Sequence, residues 1–127
     1  MSIVDFLHRY LGKPYSDCDC WDITKLFYKE VLGIDMSITT DYGIPGKDEA
    51  YREKISKVVE MNKCKFEEVE TLEIGDIILF NILGVAAHVG VFIGDKKFVH
   101  SIREVGCVVE SLSKWGGKVK GCYRWPK

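Results

Sequence analysis

Little in this chain of 127 residues would tie it to nucleic acid or to a membrane. Its 18 Lys and Arg are scattered among 19 Asp and Glu, for a formal charge of -1. A phosphate backbone is tracked by a basic stripe, so nucleic acid is not an expected partner. No stretch approaches the roughly 18 consecutive apolar residues of a membrane span, so no membrane partner is expected either. Met1-Ser2-Ile3-Val4-Asp5-Phe6 lacks the basic lead of a secretory signal, which implies a protein made in the cytoplasm without a signal peptide. The five cysteines, at 18, 20, 64, 107 and 122, form neither a disulfide framework nor a Cys-x-x-Cys zinc pair. Reduced thiols are expected, with no metal and no organic cofactor. Repeats, low-complexity tracts and linkers are absent, so residues 1–127 read as one domain.

What is present suffices for one core, since 46% of the residues are apolar. Ser2 followed by Asp5, with Ile3, Phe6, Leu7, Tyr10 and Leu11 at helical spacing and Gly12 behind them, predicts a short amphipathic helix. Lys13-Pro14-Tyr15 then turns the chain. Ile23, Leu26, Phe27 and Val31 predict a second helix that begins near Cys20 and ends at Gly33. Residues 35–47 read as a surface loop, and residues 48–62 as another amphipathic helix with Tyr51, Ile55, Val58 and Val59 turned inward. The second half changes period. Short β-branched or aromatic runs at 77–80, 87–93, 97–101, 107–111 and 119–125 are separated by turns that include Gly94-Asp95. Helices followed by such a meander predict an α+β domain, with N-terminal helices packed on an antiparallel sheet of about five strands.

Cys20 is the candidate nucleophile. A thiol in the first turn of a helix meets free N–H groups and the positive end of the helix dipole, which favour thiolate. A buried Cys also serves as a small inert hydrophobe, so the thiol needs a base. In Ala87-His88-Val89-Gly90-Val91-Phe92-Ile93, His88 alternates with the aliphatic residues and faces away from them. Gly90 shares its face, and the missing side chain there would leave room for a thiol or a substrate. His100, in Phe98-Val99-His100-Ser101, comes beside His88 if a hairpin closes around Asp95 and Lys96, and it would then fix the His88 tautomer. Nucleophile, base and orienter would be Cys20, His88 and His100. His8, beside Arg9, reads as a solvated surface residue.

These segments resemble the NlpC/P60 family of papain-like cysteine peptidases. Gly12-Lys13-Pro14-Tyr15 is similar to the family's Gly-x-Pro-Tyr entry, and Asp19-Cys20-Trp21 to its nucleophile helix. Leu72-Glu73-Ile74-Gly75-Asp76-Ile77-Ile78-Leu79-Phe80 resembles its Gly-Asp-led first strand. His88-Val89-Gly90-Val91-Phe92-Ile93-Gly94 and Phe98-Val99-His100-Ser101 resemble its two histidine strands. The resemblance selects Cys20 over Cys18, which is then a loop neighbour. It implies a cysteine endopeptidase acting on amide bonds of peptidoglycan stem peptides, with no cofactor. The Trp after the nucleophile is similar to small members carried by tailed phages, which implies phage tail proteins as partners and the virion tail as a location.

The Cys20 N–H and the Tyr15 hydroxyl are candidate oxyanion donors, and Trp21 is a candidate cleft residue. Tyr15 and Trp21 would equally serve as packed aromatics. The chain departs from the family at Asp22, where Gly is usual. A carboxylate there would oppose thiolate formation and exclude an acidic substrate. The resemblance therefore leaves two alternatives open: a catalytically weak tail assembly module with the same fold, or a thiol amidase or acyltransferase.

Overall fold

The computed structural model describes residues 1–36, 65–82 and 84–125. The helix expected over 48–62, almost all of the loop expected over 35–47, and Cys64 lie outside the described residues.

Helix α1 spans Ile3–Tyr10, with Ser2 at its N-cap accepting the Asp5 N–H on Oγ at 3.1 Å. It buries Phe6 edge-on against Phe27, ring centroids 5.2 Å apart. Arg9 and Tyr10 on α1 both reach Glu30, the guanidinium at 2.7 Å. Helix α2 spans Cys20–Phe27 and continues as a wider, π-type turn over Tyr28–Leu32. Gly33 closes that turn at φ 70°, a left-handed conformation that glycine adopts without strain. Cys20, Trp21, Ile23, Thr24 and Phe27 are the buried side of α2.

Six strands follow: β1 (Glu67–Glu68), β2 (Ile77–Ile82), β3 (Val85–Gly94), β4 (Lys97–Ile102), β5 (Gly106–Ser111) and β6 (Val119–Arg124). A short helix α3 (Leu112–Trp115) and a 3-10 turn (Gly116–Lys118) separate β5 from β6. The strands form one sheet in the order β1-β6-β2-β3-β4-β5, and every pairing is antiparallel. The α+β architecture is the expected one, with one strand more than the five read from the sequence. The addition, β1, is two charged residues held opposite Tyr123 and Arg124, too short to show a period. The β3–β4 hairpin turns at Asp95 and Lys96, both with positive φ (53° and 57°), as a two-residue turn matched to strand twist requires.

Alternation sorts the sheet into two faces. Ile77, Leu79, Val89, Val91 and Val99 pack with Phe6, Ile23 and Phe27 of the helices. Ile78, Phe80 and Phe98 form a second apolar cluster under Leu112 and Trp115, and this is the face that carries His88 and His100. Asp76, at the start of β2, is buried; it accepts the Glu73 N–H at 2.7 Å and two hydrogen bonds from Arg124 at 2.8 Å. The Gly75-Asp76 pair thus anchors the entry to β2 onto β6, the bidentate geometry that suits Arg and a carboxylate.

The segment that leads to α2 is tied to the far side of the sheet. The Gly12 N–H donates to the Cys107 carbonyl and the Cys107 N–H to the Lys13 carbonyl, both at 2.9 Å. Gly106 makes this approach possible: its φ is 76°, and a Cβ there would run into the Lys13 carbonyl. Gly106→Ala is therefore expected to destabilise the fold by about 1–3 kcal/mol, from backbone strain and loss of the Lys13–Cys107 pairing. Urea unfolding measures this, and an unchanged midpoint would contradict it.

Candidate active site

Asp19 caps α2, and the cap decides where the thiol sits. Asp19 Oδ1 accepts the Asp22 N–H at 2.8 Å, and Asp22 Oδ2 accepts the Asp19 N–H at 3.0 Å, a reciprocal capping box. The Asp22 carboxylate, a concern in the sequence, is thus turned back onto the N-cap. With the Asp22 N–H used by the cap, the N–H groups of Cys20 and Trp21 are left outside it. The Trp21 N–H addresses the Cys20 sulfur, and so does the Val89 N–H of β3. β3 and β4 are paired at Val91–Val99 and Phe92–Phe98; beyond that point Val89 turns its N–H to the thiol. The start of α2 is therefore seated beside the peptide that joins His88 to Val89.

Burial governs the protonation of the thiol. Cys20 is fully buried, which pushes its pKa far above the ordinary thiol range; the charge of Asp19 adds to this and Asp22 adds less. The two backbone N–H groups pull the other way without prevailing. The thiolate expected from the helix N-terminus is thus corrected. Desolvation of the charged form outweighs the dipole, and the resting group is a thiol.

The imidazoles form a line with an acid on the sheet. His88 Nε2 lies 2.7 Å from His100 Nδ1, and His100 Nε2 lies 2.8 Å from Glu110 Oε1. Glu110 Oε2 in turn receives Lys114 Nζ at 2.7 Å. Burial, reinforced by His100, pushes His88 down to about 3, and burial also lowers His100 against the opposing pull of Glu110. Burial raises Glu110, but Lys114 and His100 overcome it, with help from the nearby Trp115 indole, and hold its carboxyl at about 2. At neutral pH the line reads imidazole, imidazole, carboxylate. His88 Nε2 is committed to His100, so the nitrogen left to address the thiol is Nδ1. Among the described residues the thiol is met by the two backbone N–H groups rather than by that nitrogen. Cys20 packs in the helix-side cluster with Val89, whereas His88 and His100 lie against Phe80 and Trp115 on the opposite face of the sheet.

The other residues singled out in the sequence take varied places. Trp21 is buried in the helix-side core. Gly90 leaves a space that Phe98 and the His100 Cβ fill: a Cβ there would lie 2.8 Å and 3.2 Å from them. Its service is to the histidine pair, and the open room for a thiol or substrate expected there is taken. Tyr15 is half-buried at the wall of a cleft of about 450 Å³ with Ser16, Arg103 and Glu104, the Arg103 guanidinium 6.0 Å from its ring centroid. Cys18 is a buried loop neighbour whose carbonyl accepts the Ser101 hydroxyl at 2.5 Å. His8 is exposed. Among the described residues no three His, Cys, Asp or Glu side chains are grouped as a metal would need. Glu110 was missed in the sequence. The available signal was parity: an acid two residues from Val108, which lies opposite His100, shares the His100 face.

A helix-borne cysteine seated against a sheet that holds two linked histidines is an arrangement that fits the NlpC/P60 fold. The chain belongs to the NlpC/P60 family, which matches residues 7–122. It is 24% identical over 107 residues to the murein DD-endopeptidase MepS/murein LD-carboxypeptidase of Escherichia coli K12, covering 84% of this chain and 48% of that protein. The chain thus spans about half the length of the curated relatives it matches. In three dimensions it is similar to an NLP/P60-family protein of Staphylococcus aureus Mu50, described as similar to a lipoprotein. There the TM-score is 0.66 and the identity 19%, over 98% of this chain and 40% of that one. It is also similar to the NlpC/p60 domain of the peptidoglycan hydrolase SagA, with TM-score 0.59 and 18% identity over 96% of this chain and 95% of that one. At these identities the structural likeness speaks for the fold.

A testable consequence follows for stability. His88 titrates near 6.5 when unfolded but near 3 in the fold, so between these values the unfolded chain binds more protons. Stability should therefore hold above about pH 6.5 and fall as pH drops toward 3. Urea unfolding at pH 7 and pH 4.5 measures the loss, and His88→Gln should shrink the difference between the two. An identical pH slope in wild type and variant would refute the assignment.

Proposed function

We propose that this chain is a cysteine endopeptidase that hydrolyses amide bonds in peptidoglycan stem peptides, with Cys20 as nucleophile, His88 as base and His100 as orienter. The observation that carries the proposal is the 2.7 Å His88–His100 contact on the strand whose Val89 N–H reaches the Cys20 sulfur. Family membership supports the chemistry, and the relatives named as murein endopeptidase and peptidoglycan hydrolase support the substrate class.

Because the resting pair is neutral, the thiol proton moves to His88 Nδ1 as the sulfur attacks the amide carbonyl. A C–S bond forms and the carbonyl oxygen becomes an oxyanion. The Cys20 N–H, left over by the capping box, is the first donor for it, with the Tyr15 hydroxyl as the second. The His88 imidazolium then protonates the leaving amine, the C–N bond breaks, and an acyl-thioester remains. His88 next takes a proton from water, which attacks the thioester and releases the acid and the thiol. His100 holds the His88 ring throughout. Tyr15, with Arg103 near its ring, lines a 450 Å³ cleft beside the segment that leads to α2. Asp22 acts here through the cap rather than on the substrate.

One observation favours a second reading. The complete burial of Cys20 would suit a catalytically weak assembly module that keeps the fold. Incubating the protein with purified stem peptides and resolving products by mass spectrometry separates the two. Wild type should release product, while Cys20→Ala and His88→Ala should each lose at least about a thousandfold in kcat/KM. Product release by Cys20→Ala at the wild-type rate would sink the peptidase, and inertness of both would favour the module. Trapping of an acyl-thioester that an amine but not water releases would instead indicate an acyltransferase. A place on a phage tail has one support, the Trp21 that follows Cys20, and detection of the chain in purified virions tests it.

A further inference from the structure

Beyond the Cys-His-His set, the structure holds a half-buried acceptor whose chemistry determines the tautomer of both imidazoles. The inference rests on Cys20 and His88 being nucleophile and base. We propose that Glu110 is a positioning residue: it fixes the proton of His100 on Nε2, and through His100 it fixes the proton of His88 on Nε2, leaving the His88 Nδ1 lone pair for the thiol.

Lys114 Nζ carries only donors and occupies Glu110 Oε2 at 2.7 Å. The other oxygen, Oε1, faces His100 Nε2 at 2.8 Å. An ionised carboxylate only accepts, so His100 Nε2 must carry hydrogen. A neutral His100 then has its lone pair on Nδ1, and this nitrogen lies 2.7 Å from His88 Nε2. His88 Nε2 must therefore be the donor, and in a neutral ring that leaves Nδ1 without a proton. The reversed line would set two acceptors face to face across the 2.8 Å contact of His100 and Glu110. A proton on His88 Nδ1 would block the first step of the reaction, because a protonated nitrogen cannot take the thiol hydrogen.

Charge around the line agrees with this order. Glu110 of β5 is the anion in contact with it, and Lys114 of α3 is the cation beyond. Lys118 lies 5.0 Å from the centroid of the Trp115 ring, which packs against both imidazoles. Asp19 and Asp22 act on Cys20, while the charged groups that act on His88 are His100 and Glu110. Phe80 and Phe98 complete the walls without offering a polar group. Glu110 is thus the acceptor in the line that is anionic and lies away from the thiol.

Nitrogen-15 NMR of histidine-labelled protein distinguishes protonated from unprotonated ring nitrogens and reads the tautomer without activity. Wild type at neutral pH should show both His88 and His100 protonated on Nε2. In Glu110→Gln the amide oxygen should stay on Lys114 and the amide N–H turn to His100, reversing the line and placing the His88 proton on Nδ1. With a stem-peptide substrate, kcat should fall about a hundredfold, the scale of lost base catalysis, with KM near that of wild type. Lys114→Met keeps the Glu110 acceptor and should retain both tautomers and near wild-type kcat. The proposal is overturned by a wild-type His88 protonated on Nδ1, or by Glu110→Gln with unchanged tautomers and kcat. It is equally overturned by Lys114→Met shifting the tautomers as far as Glu110→Gln does. If Glu110→Gln fails to fold, as checked by circular dichroism, the spectra of wild type and Lys114→Met decide. If wild type cleaves no stem peptide, the peptidase reading falls, while the spectra still judge Glu110.

Discussion

The capping box at Asp19 and Asp22 is the interaction on which the site depends. It sets α2 to begin at Cys20 rather than one residue earlier or later. A shift of one residue would rotate the helix by about 100°, from 3.6 residues per turn, and carry the sulfur off the sheet. Two carboxylates near a nucleophilic thiol would ordinarily be expected to suppress it, and both do raise its pKa. Their reciprocal bonds to the backbone show what they supply in return: a helix start fixed in place, with the Cys20 N–H left outside the cap. The departure from the family's glycine at Asp22 is in this chain a structural device.

The second constraint is dryness. Cys20 and His100 are fully buried and His88 nearly so, and each is held in its neutral form by that burial. A preformed thiolate–imidazolium pair would require two charges to be sustained away from water. A neutral pair carries no such requirement, and in the proposed reaction the proton moves only as charge develops on the substrate. This makes the orientation of each ring, rather than its resting charge, the feature the fold must guarantee. The line from His88 through His100 to Glu110 meets that demand, and it ends near the surface, where the largely exposed Lys114 ammonium meets the carboxylate from outside the line.

Much of this was legible in the residues. Period-3.6 runs placed α1 and α2, alternation placed five strands, and the Asp95-Lys96 turn brought His100 to His88 because a two-residue hairpin leaves little freedom of register. What escaped has physical reasons. β1 is two glutamates whose pairing depends on β6, far along the chain. Glu110 lies on a strand edge among Val and Ser, and only the β4–β5 register reveals that it shares a face with His100. The protonation of Cys20 was misjudged because helix-end electrostatics can be read locally, whereas burial is a property of the assembled core. Gly90 was read as a vacancy, but the strand beside it brought Phe98 to fill it.

The pairing of Gly12 and Lys13 with Cys107 has a further consequence, for how the molecule meets its own copies. β5 is an outer strand of the sheet, and an outer strand offers unsatisfied N–H and C=O groups to any extended chain that approaches. Two of those groups, on Cys107, are already taken by the segment between α1 and α2. The backbone that leads to Cys20 therefore also shields part of the sheet's border. Loosening it would open that border to strand addition by another molecule, so the delivery of the thiol and the resistance to edge-to-edge aggregation depend on the same short segment.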